Sequence, residues 1–376
     1  MKIMFVCSRG IINSYNALAK IFCALPSALA ERGLDVICVC NEYKKGFPAY
    51  PLSSKVKFVN LGCPTTSGLK NFFLKLKKVF RNICSIFTYR NFILKEKPDV
   101  IIYFDFSDLY NVLLWQDGKR FPCISMSHGA PDKAYLKHGL FRLWLEKKVF
   151  KKSAAVQVLM ENFIPQMKRR FGMDSICIPN SVPQVNDDEM ADLSIEKKKI
   201  VYAARISPSK QQHILVKAFA EIAADFPDWQ IELWNTKEDS YFAVVQEEIR
   251  KYGLEKQIIY KGLTPNIYDI YKSADIIAFP AQYEAFGLAL AEPMSLGIPA
   301  VGFRSAYAVN ELIKDGKNGF LADDVKDFAL KMKELMQNQE LRIKLGKQAH
   351  EDMKKYSMEN VVALWMQLIK SVSKQS

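Results

Sequence analysis

The chain has 376 residues, 49% hydrophobic and 25% charged, which supplies two cores of ordinary size and is too long for one common domain. No apolar run reaches the length that spans a bilayer, and the eight cysteines lie scattered with no C-x-x-C pair, against a zinc ribbon or a disulfide framework and in favour of a reduced, cytoplasmic setting. The formal net charge of +13 leaves three acidic partners to weigh: nucleic acid, an anionic membrane surface or a phosphorylated substrate. No nucleic-acid motif accompanies the charge, and that partner is set aside.

Short apolar runs alternate with longer amphipathic stretches along most of the chain. The opening run over 2–7 is too short for a secretory leader and reads as a buried first strand. A helix pattern follows over 14–32, and strands are predicted over 35–40, 55–61, 99–104, 123–127, 154–159 and 175–178. The polar stretch 184–198 carries Asn186, Asp187, Asp188 and Glu189, then Lys197 and Lys198, and reads as a linker. The alternation resumes with strands over 200–204, 230–234, 258–260, 276–279 and 299–303, and helices over 213–225, 242–252, 267–272 and 288–296. A further helical period occupies 356–365. Repeated strand-then-helix units imply parallel sheets that bind ligands at the carboxyl ends of their strands.

Two segments carry chemistry. In Phe279-Pro280-Ala281-Gln282-Tyr283-Glu284-Ala285-Phe286-Gly287-Leu288 a buried strand ends, a loop presents Glu284 and a helix begins. Unused amides and the positive dipole end of that helix make an anion site, which Gly287 lets a ligand approach closely. Glu284 beside it can accept bonds from sugar hydroxyls, and Glu292 from a ribose diol. The competing reading makes both surface glutamates, with Glu284 favourable near a helix N-terminus. Upstream, Arg205 ends a strand and Lys210 precedes a helix, so two cations suit a diphosphate whose charge grows as it departs. A solvated Arg–Lys loop is the alternative there.

The spacing of Glu284 and Glu292, with Arg205-Ile206-Ser207-Pro208-Ser209-Lys210, resembles the retaining glycosyltransferases of family four. Further similarity lies in Tyr260-Lys261-Gly262-Leu263, in Gly316-Lys317-Asn318-Gly319-Phe320 and in Ile178-Pro179-Asn180-Ser181-Val182. The resemblance implies an α/β GT-B fold: two Rossmann-like, doubly wound domains facing across a cleft. They would comprise an acceptor-binding domain over 1–183, a linker over 184–198, a nucleotide-sugar-binding domain over 199–355 and a helix over 356–376 returning to the first domain. It implies that Arg205 and Lys210 hold the donor diphosphate and that Glu284 binds the transferred sugar. Backbone at Phe286, Gly287 and Leu288 would support sugar and phosphates, Glu292 would take the ribose, and Gly262 and Leu263 would lie near the base. From the first domain, His128 would face the donor sugar and Gly10 would sit near the donor phosphates or the acceptor; a core histidine is the bland reading of His128. No metal or other cofactor is implied, since the nucleotide-sugar is a co-substrate and the two cations replace a metal. Three positions depart from the family: Gln211 replaces a usual glycine, Trp234-Asn235-Thr236-Lys237 lacks a glycine pair, and the loop after the first strand lacks a double glycine.

The expected activity is retaining, metal-independent transfer from a nucleotide-sugar, UDP-linked by expectation, to a glycan or lipid-linked acceptor. A sugar-nucleotide epimerase and a non-catalytic sugar-nucleotide-binding module are the alternatives. Leu69, Phe72, Phe73, Leu76, Val79, Phe80, Ile83 and Phe87 recur at helical spacing among lysines. That helix either packs on its own sheet or lies on anionic lipid, and the basic runs at Lys147, Lys148, Lys151, Lys152 and at Lys168-Arg169-Arg170 suit attachment to the inner face of the cytoplasmic membrane.

Overall fold

A computed structural model describes residues 1–42, 45–62, 87–104, 121–134, 140–237 and 239–374. The chain divides into two compact units, Met1–Ser181 with Met358–Ser376, and Val182–Ser357. The basic amphipathic stretch 69–87 lies, except for Phe87, outside the described residues.

The first unit holds a seven-stranded sheet in the order β3-β2-β1-β4-β5-β6-β7, every pair parallel. Its strands are β1 Lys2–Val6, β2 Asp35–Cys40, β3 Val56–Asn60, β4 Val100–Tyr103, β5 Cys123–Ser127, β6 Ala155–Val158 and β7 Ile176–Cys177. Strands β4 and β5 are buried along their whole length, as expected of strands covered on both faces. The helix Ala17–Glu31 starts under Asn16, whose side chain accepts from Ala19 N at 2.7 Å. Pro26 inside that helix cannot bond the Phe22 carbonyl, and the Cys38 thiol lies 4.0 Å from the freed oxygen. Burial pushes the Cys38 thiol well above the ordinary thiol range, so it stays protonated and able to donate. The helix Met358–Ser373 joins this unit and buries Trp365.

The second unit holds six parallel strands in the order β10-β9-β8-β11-β12-β13. These are β8 Lys199–Ala203, β9 Gln230–Trp234, β10 Ile258–Gly262, β11 Ile276–Phe279, β12 Ala300–Phe303 and β13 Gly319–Ala322. Each sheet therefore reverses its strand order once, between β1 and β4 in the first and between β8 and β11 in the second. Each of the twelve sequence-predicted strands has a counterpart, within a residue or two at the ends. Strand β13, short and glycine-led, was not among them. The helix expected over 213–225 stops at Ala220 and resumes only as a turn at Ala223–Asp225.

Residues 184–198, polar enough to suggest a linker, are part of the second unit. Ala191 and Leu193 are buried, Ala191 N donates to Leu296 O at 2.8 Å, and Asp275 accepts from Lys197 N and Lys199 N at 3.0 and 3.1 Å. A few small apolar anchors and backbone bonds, invisible to composition, fasten the stretch down. Among the described residues no helix is long and apolar enough to cross a membrane.

Two helices of this unit, Leu288–Ser295 and Gln339–Met353, approach closely where Gly297 and Gly346 meet. A Cβ on Gly346 would stand 2.0 Å from the Gly297 carbonyl oxygen, a backbone atom that cannot step aside. Gly346→Ala should therefore destabilise the protein by about 1–3 kcal/mol, the range of core overpacking. A thermal unfolding midpoint equal to that of the parent chain would refute the close approach.

Candidate active site

Two loops leave the carboxyl ends of β8 and β11, the strands that flank the reversal in the second sheet. The loop after β8 runs through the 3-10 turn Pro208–Lys210 into the helix Gln212–Ala220. Gln212, wholly buried, holds it in shape: its side-chain amide accepts from Ser207 N at 3.4 Å and donates to Arg205 O at 3.1 Å. Tyr202 on β8 donates its hydroxyl to Lys210 O at 2.8 Å. The loop after β11 is pinned twice by backbone bonds, Gln282 N to Ser209 O at 3.0 Å and Glu284 N to Tyr307 O at 3.1 Å.

This bracing brings Lys210 Nζ to 2.5 Å from Glu284 Oε1, with side-chain exposures of 20% and 14%. Glu284 is thus held beside a cation, and both side chains keep a partly exposed edge. Burial first, and the negative charge of Glu284 second, push the Tyr202 hydroxyl well above the ordinary tyrosine range, so it keeps its proton and can donate.

Beyond Glu284, Gly287 caps the helix Leu288–Ser295 with φ 93° and ψ 53°, a conformation that a side chain would strain. The first bond within the helix is Leu290 N to Gly287 O at 2.9 Å, so the amides of Leu288 and Ala289 are not consumed by it. Carboxylate, ammonium and helix N-terminus together offer a ligand both hydroxyl acceptors and an anion site.

The remaining sequence-predicted residues are placed less uniformly. Phe286 is core, its ring packed edge-on to Tyr356, so only its backbone can serve a ligand. Glu292 is on the same helix but only 5% exposed, close enough to the buried Tyr271 that its charge reinforces the burial-driven rise of that hydroxyl's pKa. Arg205 is exposed, and Leu288 half-buried. Gly262 (φ 80°) sits at an irregularity in β10, its carbonyl accepting from Asn235 N at 2.7 Å, and Leu263 after it is 67% exposed. Two of the positions that depart from glycine keep the backbone that glycine favours: Gln211 has φ 53° and Asn235 φ 119°. The left-handed region costs a non-glycine residue about 1–2 kcal/mol.

In the first unit, His128 follows β5 and stacks on the buried Phe104, ring centroids 5.3 Å apart. Gly10 has φ 80°, and its carbonyl accepts from Asn16 Nδ2 at 3.0 Å. The two amides after it, on Ile11 and Ile12, both donate to Glu42 Oε1, at 2.7 and 3.0 Å. The chain's own carboxylate thus occupies the backbone that a double glycine would leave free. Sequence reasoning missed Glu42, and also Tyr202 and Gln212. Of these only Gln212 carried a sequence signal, a polar residue at the buried start of an amphipathic helix.

The family model for glycosyltransferase family 4 matches residues 22–184, and that for glycosyl transferases group 1 matches residues 185–352. The two matches together span residues 22–352, and the chain belongs to the glycosyltransferase group 1 and family 4 proteins, with the GT-B fold of two Rossmann-like domains. A poly(ribitol-phosphate) alpha-N-acetylglucosaminyltransferase from Staphylococcus aureus (strain COL) is 24% identical over 345 residues, 89% of this chain and 67% of the relative. A poly(glycerol-phosphate) alpha-glucosyltransferase from Bacillus subtilis (strain 168) is 26% identical over 189 residues, 50% of this chain and 28% of the relative. The chain is thus shorter than these curated relatives, spanning about a quarter of one and two thirds of the other. Among solved structures, a variant of S. aureus TarM in complex with fondaparinux, alpha-GlcNAc-glycerol and UDP superposes with a TM-score of 0.79 at 14% identity, over 98% of this chain and 99% of that one.

Lys210 and Glu284 should show energetic coupling that neither shows alone. In a double-mutant cycle of Lys210→Met and Glu284→Gln, chemical denaturation should give a coupling of about 1–3 kcal/mol, the range for contacting, partly buried charges. Strict additivity of the two single changes would mean that the pair does not form in solution.

Proposed function

We propose that the chain is a retaining, metal-independent glycosyltransferase that takes a sugar from a UDP-sugar and adds it to a glycan or lipid-linked acceptor of the cell surface. The observation that carries this reading is the Lys210–Glu284 pair, set at the strand reversal of the second sheet and in front of the helix start at Gly287. The names of the two relatives, which transfer sugars to polyol-phosphate polymers, and the UDP in the TarM complex support the acceptor and donor classes.

In this reading Lys210, with Arg205, faces the donor diphosphate, and the amides of Leu288 and Ala289 meet phosphate or sugar oxygens. Glu284 accepts hydroxyls of the transferred sugar, and Glu292 takes the ribose. Breakage of the anomeric C–O bond leaves negative charge on the diphosphate, which the two cations stabilise in the role a metal ion has elsewhere. The acceptor hydroxyl attacks the face that the diphosphate leaves, and its proton passes to a departing phosphate oxygen, so the anomeric configuration is kept. An epimerase would need an additional acid–base pair around the sugar; among the described residues, the loops after β8 and β11 bring together the ion pair of Lys210 and Glu284.

A panel of UDP-, GDP- and ADP-sugars, assayed for nucleotide release with and without polyol-phosphate acceptor, should single out a UDP-sugar, and chelator should leave the rate unchanged. Glu284→Ala should lower kcat by at least about 100-fold, as loss of a charged group that contacts the transition state does, with an unaltered far-UV CD spectrum. Full activity of Glu284→Ala would remove the residue from the mechanism.

The same reading places the enzyme at the inner face of the cytoplasmic membrane, on a basic surface of the first unit. Lys147, Lys148, Lys151 and Lys152 are exposed on the helix Leu140–Lys152, and Lys168 and Arg169 on the helix Phe163–Phe171 pair with Asp174 and Asp132. Replacing the four lysines of the first helix by glutamine should abolish co-sedimentation with phosphatidylglycerol vesicles at low salt, each basic residue being worth about 1 kcal/mol near an anionic surface. Equal sedimentation with neutral and anionic vesicles would exclude such docking.

A further inference from the structure

A second polar site lies in the second unit, apart from Lys210 and Glu284 and at the other end of the helix that starts at Gly287. There an open groove of about 850 Å³ is lined by Asp187, Asp188, Asp192, His350 and Glu351, with Lys347 also on its wall. Asp187, His350 and Glu351 each offer one ligand atom, all within 4.8 Å of one another.

His350 is the unusual member. It is 2% exposed, and its Nδ1 lies 2.6 Å from Ser295 O. A carbonyl only accepts, so Nδ1 carries the proton, and in neutral imidazole the lone pair of Nε2 faces outward. Nε2 is buried, makes no hydrogen bond, and stands 3.4 Å from Asp187 Oδ1. Two acceptors, the buried Nε2 and the exposed Asp187 carboxylate, thus face one another across a gap that a positive centre would fill favourably. A tetrahedral metal with bonds of about 2.0–2.1 Å sets its ligand atoms about 3.3 Å apart. The gap has that width. The Nδ1–H bond to a backbone carbonyl is the support that metal-binding imidazoles usually carry. Ser295 is moreover the last residue of its helix, where the dipole favours a cation.

We infer that Asp187, His350 and Glu351 form a binding site for a divalent transition metal of the zinc class, with solvent completing the coordination. Imidazole nitrogen with carboxylate oxygen suits zinc or cobalt better than magnesium or calcium, which seek oxygen alone. An ammonium competes for the place: Lys354 Nζ is 2.5 Å from Glu351 Oε1 and 4.0 Å from Asp187 Oδ1. The ion displaces it, and Lys354 swings into solvent. The site joins the polar stretch at Asp187 to the helix Gln339–Met353 and to the end of the helix Leu288–Ser295. Its role is to fasten these three elements, independently of the transfer chemistry proposed above.

The test is calorimetric titration of zinc chloride into the tag-free full chain, with cobalt absorption spectra reporting the ligand geometry. One saturable zinc per chain is expected, with tetrahedral cobalt bands and a raised thermal midpoint. Asp187→Asn, on an exposed carboxylate that the fold does not need, and His350→Asn, checked by near-UV CD, should each weaken zinc binding at least about tenfold. Lys354→Met, which removes the competing ammonium, should tighten it severalfold. Absence of saturable binding overturns the proposal, as does zinc binding that Asp187→Asn leaves unchanged. So does a thermal midpoint that is indifferent to zinc.

Discussion

Strand order in the second sheet constrains everything around Lys210 and Glu284. Between β8 and β11 the connections diverge to opposite faces, so the loops leaving those two strands border a recess that no crossover helix fills. A lysine from one loop and a glutamate from the other meet there. Their pairing compensates the burial of two charges, and in return it orients both for a ligand. The backbone bonds from Gln282 and Glu284 and the hydroxyl bond from Tyr202 keep the loops in register, so the ion pair is held by the frame as well as by its own attraction. Ion pairs on free loops lose most of their Coulomb gain to side-chain entropy and solvent screening. Here the cost of ordering is spread over bonds the loops make anyway.

The helix Leu288–Ser295 carries that frame deeper into the unit. Its N-terminus, opened by the left-handed Gly287, stands beside Glu284, and its last carbonyl receives the His350 imidazole. Between these ends it lies against the helix Gln339–Met353, at a distance set by Gly297 and Gly346. One short, mostly buried helix thus ties the Lys210–Glu284 pair to the acidic groove around Asp187. Both ends use the same physics: backbone groups left over at a helix terminus, met by charge of the matching sign.

The departures from the family pattern are conservative in shape. Gln211 and Asn235 replace glycines yet hold positive φ, and the first loop replaces a double glycine by amides that bond to Glu42. Backbone geometry has been kept while access has changed. Side chains stand at positions where the family pattern has glycine, and the Glu42 carboxylate accepts from the amides of Ile11 and Ile12.

The alternation of apolar runs with amphipathic stretches was enough to place twelve strands, because buried parallel strands are apolar along their whole length and helices are not. The same local signal marked Gly287, Glu284 and Lys210 as a strand-end constellation, since loops at parallel strand ends carry their chemistry in sequence order. It failed where burial depends on a few contacts. Residues 184–198 look like a solvated tether, but Ala191 and Leu193 seat them on the second unit. Glu42, 30 residues from Ile12 in the chain, could not be linked to the first loop by any local pattern. His350 appears in the sequence as one more polar residue of a charged helix. The lack of a hydrogen bond at its Nε2, and Asp187 opposite it, exist only once the chain has folded. Periodicity reports what each segment buries. Which charges end up facing one another is decided by packing between segments far apart in sequence, and that is where the tertiary structure was needed.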